Sequence, residues 1–461
     1  MGQKENNQLY ELVHEPVGKL LWRYSLPAIV GFVVMSAYNV VDRIFIGQGV
    51  GPEAIAGLAI TFPVMNIVTA LGVLVGGGAG ARTSIVLGQN NQRQADLILG
   101  NSLVLTLVFG FSYIAAFTIF LEEILRAFGA SDVSLPYAYE FMIYIMPGLL
   151  LTNLTFSFNN IMRASGYPTK AMITMFIGAG CNVVLAPIFI FGFKLGIKGA
   201  AIATDISMAI SAFFVMWHFV NKRSLLHFKP GTFTLNKQII FSIVSIGSAP
   251  AIINVTGCAV NAIVNNQLMN FGGDNAVAAM GIFTVVCQIV IQIVIGVNQG
   301  MQPIVGFNYG ARRYDRLTRA YWLTVAASSV VTGLGFAAAK LCPELIARAF
   351  TTDEELIHLT GRTLSVCMSM MIIVGYQITS TNFFQSLGMA SRSIFMSLTR
   401  QVLFLIPSLF ILPEIFGLAG VWMSFPVADG ISTFVTMLLT IQILRKISRL
   451  QSTQTNELTT K

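Results

Sequence analysis

The chain predicts an all-α polytopic membrane protein of twelve transmembrane helices arranged as two six-helix lobes. Three observations carry that expectation: apolar stretches of membrane length recur from end to end, charge is scarce, and the two halves repeat each other at a separation of about 220 residues. With 55% hydrophobic and 10% charged residues and a mean hydropathy of +0.72, the 461 residues cannot belong to a soluble globular chain. A helix crossing a hydrocarbon core of about 30 Å needs about 20 residues. Twelve runs reach that scale: 24–46, 54–80, 98–120, 136–160, 169–192, 197–220, 238–269, 276–301, 317–341, 358–383, 393–413 and 417–443.

The first run is the most informative. Lys19 and Arg23 precede it as in a signal peptide, but its length and the lack of an A-x-A-like cleavage site predict a retained helix. Gly31, Met35, Tyr38 and Asp42 recur at helical spacing on one stripe, with Asn39 beside it. An acid within a membrane helix costs about 2.5 to 3.5 kcal/mol by insertion scales and normally faces a wet cavity or ion path. The competing reading is an interfacial Asp42 that pairs with Arg43. Pro27 removes a backbone donor and makes this helix a candidate moving part. In the second run, GGGAGAR at 76–82 lacks the G-K-[ST] of a phosphate loop, so close helix packing is the better reading. Asn153 and Asn160 in the fourth run suit packing or cavity lining equally.

The longest polar connection, 221–237, carries a Pro230-Gly231 turn and separates a first lobe, 1–220, from a second, 238–445, followed by a polar tail, 446–461. In the second half Asn254, Asn261 and Asn265 form one helical stripe, and Gln288 and Gln292 with Gln299 form another. These amides either line a polar cavity or bond helix to helix. Arg400 and Asp429 lie at comparable depth in the last two runs, as a structural pair, as a substrate contact or as snorkelling side chains at the lipid.

The repeat is legible at four places. GPEAIAGLAI at 51–60 matches GGDNAVAAMGI from Gly272, and SIVLGQNNQRQAD at 84–96 matches PIVGFNYGARRYD at 303–315, which sets Arg93 against Arg312. Asn160 and Gly166 match Asn382 and Gly388, and Gly196 and Gly199 match Gly417 and Gly420. A repeat of six spans is even, so both halves enter the membrane from the same side. Basic residues favour one set of loops by roughly three to one, which places both termini in the cytoplasm of a prokaryotic cell membrane. The net charge of +8 is thereby explained without nucleic acid. Five cysteines without C-x-x-C spacing read as small buried hydrophobes, not metal ligands, and the four histidines fall in loops or near span ends. No cofactor motif, nucleophile elbow or P-loop is present, so an enzyme is not expected and energy must come from an ion gradient or from the solute itself.

Taken together, LPA…YNVVDRIFIG, NVVLAPIFIFGFKLGIKGAAIAT, the paired Asn160 and Asn382 segments and the repeat resemble the multidrug and toxin extrusion (MATE) family over nearly the whole chain. The resemblance implies two lobes that open alternately to either side. It also implies export of organic, often cationic, small molecules against H+ or Na+, by a monomer in a lipid bilayer. It carries an ion site over to Asp42, Asn182 and Thr204. Ala186 stands where many relatives have a carboxylate, and the span-seven stretch PAIINVTGCAVNA lacks the acid of other branches, a pattern similar to the DinF-like and MepA-like branches. Asp205, next to Thr204, takes the place of the missing acid, pairs with Lys198 or packs in some other way. Three ligands are a thin cage for Na+, which favours H+. Substrate would meet Met35, Tyr38, Asn39 and the amides. A flippase for a lipid-linked or amphiphilic precursor is the alternative, and it calls for several cavity cations where only Arg400 is available.

Overall fold

The structure is a computed structural model that describes residues 10–49 and 52–459; the side chains of Asn39 and Arg43, singled out above, lie outside the described residues. Every regular element among the described residues is helical. Hydrocarbon offers no hydrogen bonds, so each spanning segment must satisfy its backbone internally. The first six helices are α1 Val17–Gly49, α2 Pro52–Gly88, α3 Gln92–Ala127, α4 Leu135–Ala164, α5 Pro168–Gly192 and α6 Gly196–Val220. A continuous helical stretch, Lys237–Gly310, follows. Its 74 residues would reach about 110 Å at 1.5 Å per residue, far more than one crossing. Gly273, at φ 65°, ψ −162°, breaks it into α7 (237–272) and α8 (274–310). Then come α9 Tyr314–Leu341, the bent α10 (Glu354–Cys367 and Met371–Ser386, 51° apart), α11 Ala390–Phe416 and α12 Leu418–Thr459. The twelve-helix layout predicted from the apolar runs is thus present.

The turns display the repeat. Positive φ occurs at Asn90 and Arg312, at Gly166 and Gly388, and at Gly196 and Gly417, each pair separated by 221 or 222 residues. The first pair corrects the sequence alignment. The amide of Asn91 bonds the Val86 carbonyl and that of Arg313 bonds the Asn308 carbonyl, so Asn90 corresponds to Arg312. The similarity of the short I-V…D strings had set Arg93 there, three residues away; backbone hydrogen bonding, not residue likeness, decides the register of a turn. Both α5 and α11 also relax into π-helical turns, Ile188–Gly192 and Thr399–Leu405. Gly199 and Gly420 each press against a carbonyl of the preceding helix, that of Phe189 and that of Leu412.

Two compact units divide the chain: 1–14 with 30–254, and 15–29 with 255–461. In unit 1, Gly72, Gly76 and Gly80 on one face of α2 receive Asn153, Ser157 and Asn160 of α4, so the glycine-rich stretch serves close packing. The apolar core there runs from Ile46, Val64 and Val68 through Phe141, Met142 and Ile145 to Ala186, Ala200 and Ala203. The 221–237 connection belongs to this unit. Leu226 is buried, the Phe228 amide bonds the Phe219 carbonyl, Lys229 pairs with Asp96 at 2.8 Å, and Asn101 bonds both the Thr234 carbonyl and the Asn236 amide. His218, at the end of α6, is buried beneath it against Ser224 and Lys170. In unit 2 the core gathers Leu268, Met280, Leu364, Val374, Leu409, Val421 and Trp422. Of the cysteines, Cys367 is buried and Cys342 is exposed at the end of α9, so not all are buried hydrophobes.

Candidate functional site

In unit 1 four polar side chains from three helices converge. The Asn182 amide of α5 donates to the Thr204 hydroxyl of α6 at 2.9 Å, and Thr204 donates to the Ala200 carbonyl at 3.0 Å. Tyr38 of α1 is buried near Thr204 and within electrostatic range of the Asp42 carboxylate, one turn further along α1. A hydroxyl has one proton and two lone pairs. Since Thr204 gives its proton to Ala200, it receives the Asn182 amide on a lone pair. The set gathers a carboxylate, a phenol, an amide and a hydroxyl at one place in unit 1.

Ala186, one turn beyond Asn182, is fully buried in the apolar core. Asp205 points elsewhere. About 100° around α6 from Thr204, its Oδ1 lies buried against Gly148 of α4, with no hydrogen-bond partner among the described residues. The expected pairing with Lys198 is not what the structure holds: Lys198 bonds Glu140 at 2.8 Å and lies over the Tyr144 ring. Two turns of separation along α6 leave Lys198 at the helix end, where a carboxylate on α4 is nearer.

Asn153 and Asn160 are buried between α4 and α2; Asn153 donates to the Val68 carbonyl, and the Asn160 oxygen accepts from Arg163. Asn254, Asn261, Asn265 and Gln288 are exposed, and Met35 and Gln292 are half-buried. Of these, Asn254 donates to the Pro250 carbonyl at 2.9 Å.

The second unit holds a polar cluster of its own. Arg400, in the π turn of α11, donates through Nε to Asp429 of α12 at 2.6 Å. Gln377 of α10 bonds Ser432 at 2.7 Å, Ser432 bonds the Asp429 carbonyl, and Gln401 accepts from Thr256 of α7. Gln377, Gln401 and Thr256 were missed by the sequence reading. The signal that could have found them is their position within one turn of a residue already chosen, or within an apolar run.

A family model, MatE, matches residues 27–188 and 248–411, one segment in each half. The chain belongs to the MATE family of membrane transporters. The multidrug export protein MepA of Staphylococcus haemolyticus (strain JCSC1435) is 26% identical over 445 residues, 96% of this chain and 98% of that one. MepA of Staphylococcus aureus (strain NCTC 8325 / PS 47) is 26% identical over 441 residues, covering 96% and 97%. Among solved structures, a MATE in complex with MaL6 aligns with TM-score 0.89 and 24% identity over 95% of this chain and 99% of that one. A MOP superfamily transporter from Pyrococcus furiosus, described as having a binding pocket of reverse polarity, aligns with TM-score 0.89 and 24% identity over 95% and 98%. An outward-facing MATE multidrug resistance transporter does so with TM-score 0.89 and 23% identity over 95% and 98%. Like these, the MATE chain described here is a transporter and not an enzyme.

Proposed function

We propose that this MATE transporter is a secondary antiporter that exports organic, cationic amphiphilic compounds from the cell in exchange for H+, with Asp42 as the coupling acid. The observation that carries the reading is the convergence of Asp42 with Tyr38, Asn182 and Thr204, a neutral hydrogen-bonding set that suits a protonated acid. Export of several drugs is the named activity of the MepA relatives and is extended to this chain on that ground. The exposed amides of α7 and α8 supply neutral polar contacts of the kind a varied cargo needs, without demanding one shape. Asp42 and substrate need only favour different lobe arrangements for exchange to follow. The protein works as a monomer with both termini in the cytoplasm. The flippase alternative is disfavoured because Arg400, the one cation suited to a diphosphate, is already engaged by Asp429.

Purified protein in liposomes provides the test. An imposed proton gradient should drive uptake of a fluorescent organic cation by wild type and not by Asp42→Asn at equal incorporation. Undiminished uptake by Asp42→Asn would overturn the assignment.

A further inference from the structure

The second unit contains a carboxylate that the transport reading does not use. Asp429 sits in α12 with 8% of its side chain exposed, and its partner Arg400, at 28%, is the more accessible of the two. The tether is slight. Arg400 reaches Asp429 through Nε alone, and among the described residues neither of its Nη groups has a hydrogen-bond partner. A guanidinium can grip a carboxylate with two parallel bonds, and here it uses one. Among the described residues Asp429 is the carboxylate that pairs with Arg400, and the neutral Cys287 thiol of α8 lies within electrostatic range of both.

The repeat gives this pair a meaning. Through the Gly166–Gly388 and Gly196–Gly417 correspondences, α11 and α12 are the second-half copies of α5 and α6. In the first half that helix pair is joined by the neutral contact of Asn182 with Thr204. In the second half the same helix pair is joined by Arg400 and Asp429, about one turn nearer the start of α11 and the end of α12. The first-half residues at those places are Gly178 and Met208, which carry no charge. The second half therefore has an acid and a cation of its own where the first half has neither.

We propose that Asp429 is a second cation-binding carboxylate, and that Arg400 is a tethered cation that occupies it until a cationic substrate displaces the guanidinium. Displacement moves the guanidinium off the acid and lets Arg400, the more exposed partner, turn away. It exchanges one charge for another at the acid, so the buried carboxylate is never left bare, a condition that would be costly. Arg400 thereby sets selectivity: it excludes cations that contact Asp429 too weakly to replace it. This inference rests on the reading that the cargo is cationic.

Binding of tetraphenylphosphonium, a lipophilic monocation, to purified protein in nanodiscs separates the possibilities. Arg400→Gln should bind it about tenfold more tightly than wild type, the scale of one charge-assisted hydrogen bond removed from competition. Asp429→Asn should bind it more weakly, and the double variant should match Asp429→Asn. If Arg400→Gln does not fold, as judged by gel filtration and thermal unfolding, Arg400→Lys retains the charge without the Nε donor and should bind severalfold more tightly. Equal affinity in wild type and Asp429→Asn overturns the assignment while leaving cationic export intact. Failure of wild type and both Arg400 variants to bind any of the cation overturns the cationic-cargo reading and this inference with it. Tight binding by an Arg400 variant that disappears with Asp429→Asn supports the site whatever wild type does.

Discussion

At the scale of single residues, the decisive quantity is how many hydrogen bonds each group can still make. Thr204 accepts from Asn182 of α5 and donates to the Ala200 carbonyl of its own helix. Thr204→Val would leave the Asn182 amide without that acceptor in the site that holds Tyr38 and Asp42, so proton-driven transport should fall about tenfold, a loss of about 1.4 kcal/mol. Thr204→Ser should retain most of the rate, and initial uptake in liposomes distinguishes the two. Gly148 is a second such position, because any Cβ there collides with Asp205. Gly148→Ala should lower stability by about 1–3 kcal/mol through overpacking, and Gly148→Ala with Asp205→Gly should recover most of it. Thermal unfolding of detergent-solubilised protein reports both. Neither feature was legible beforehand. Asp205 was recognised as an uncommon intramembrane acid, but its direction depends on which neighbouring helix offers a glycine.

At the scale of elements, the two halves use the same contact twice. Gly78 of α2 meets the Ile243 carbonyl and Gly247 of α7 meets the Leu74 carbonyl, both within unit 1. Gly296 and Gly300 of α8 meet Ile29 and Ser25 of α1, both within unit 2, where Ser25 also bonds the Val297 carbonyl at 3.1 Å. Gly78 and Gly300 are 222 residues apart, as are Ser25 and Gly247, so these are one packing motif repeated. In each case the segment flanking an early proline, Pro27 or Pro250, is packed by small residues that admit a backbone. Gly247→Val and Gly300→Val should therefore each lower the unfolding temperature by several degrees, whereas Gly257→Val, at a position open within 4 Å, should not. Equal tolerance of all three would contradict the packing account.

At the scale of the molecule, the prediction concerns what drives transport. With Na+ equal on both sides of liposomes, collapsing the proton gradient should stop uptake of the organic cation, and an imposed Na+ gradient should not restore it. A sodium response that fails in Asp205→Asn would instead mark a rebuilt sodium site at α6. The apolar burial of Ala186 weighs against this, since it removes one oxygen ligand from the site and replaces it with a methyl group.

The sequence by itself determined the number of helices, their pairing into two repeated halves and the identity of some of the polar residues that converge, Tyr38, Asp42, Arg400 and Asp429 among them. The physical reason is that hydrocarbon forces every backbone hydrogen bond to be local, so run length and spacing translate directly into helices and faces. Tertiary structure alone decided which partner each polar group meets. Lys198 pairs with Glu140 and not with Asp205, Asn153 and Asn160 are buried between α4 and α2, and the turn register follows Asn90 and Arg312 and not the likeness of Arg93. Helical periodicity states the face on which a side chain stands. The choice of partner is made by close approach at Gly72, Gly76 and Gly148, by π turns that re-aim Arg400, and by competition among neighbours separated by hundreds of residues.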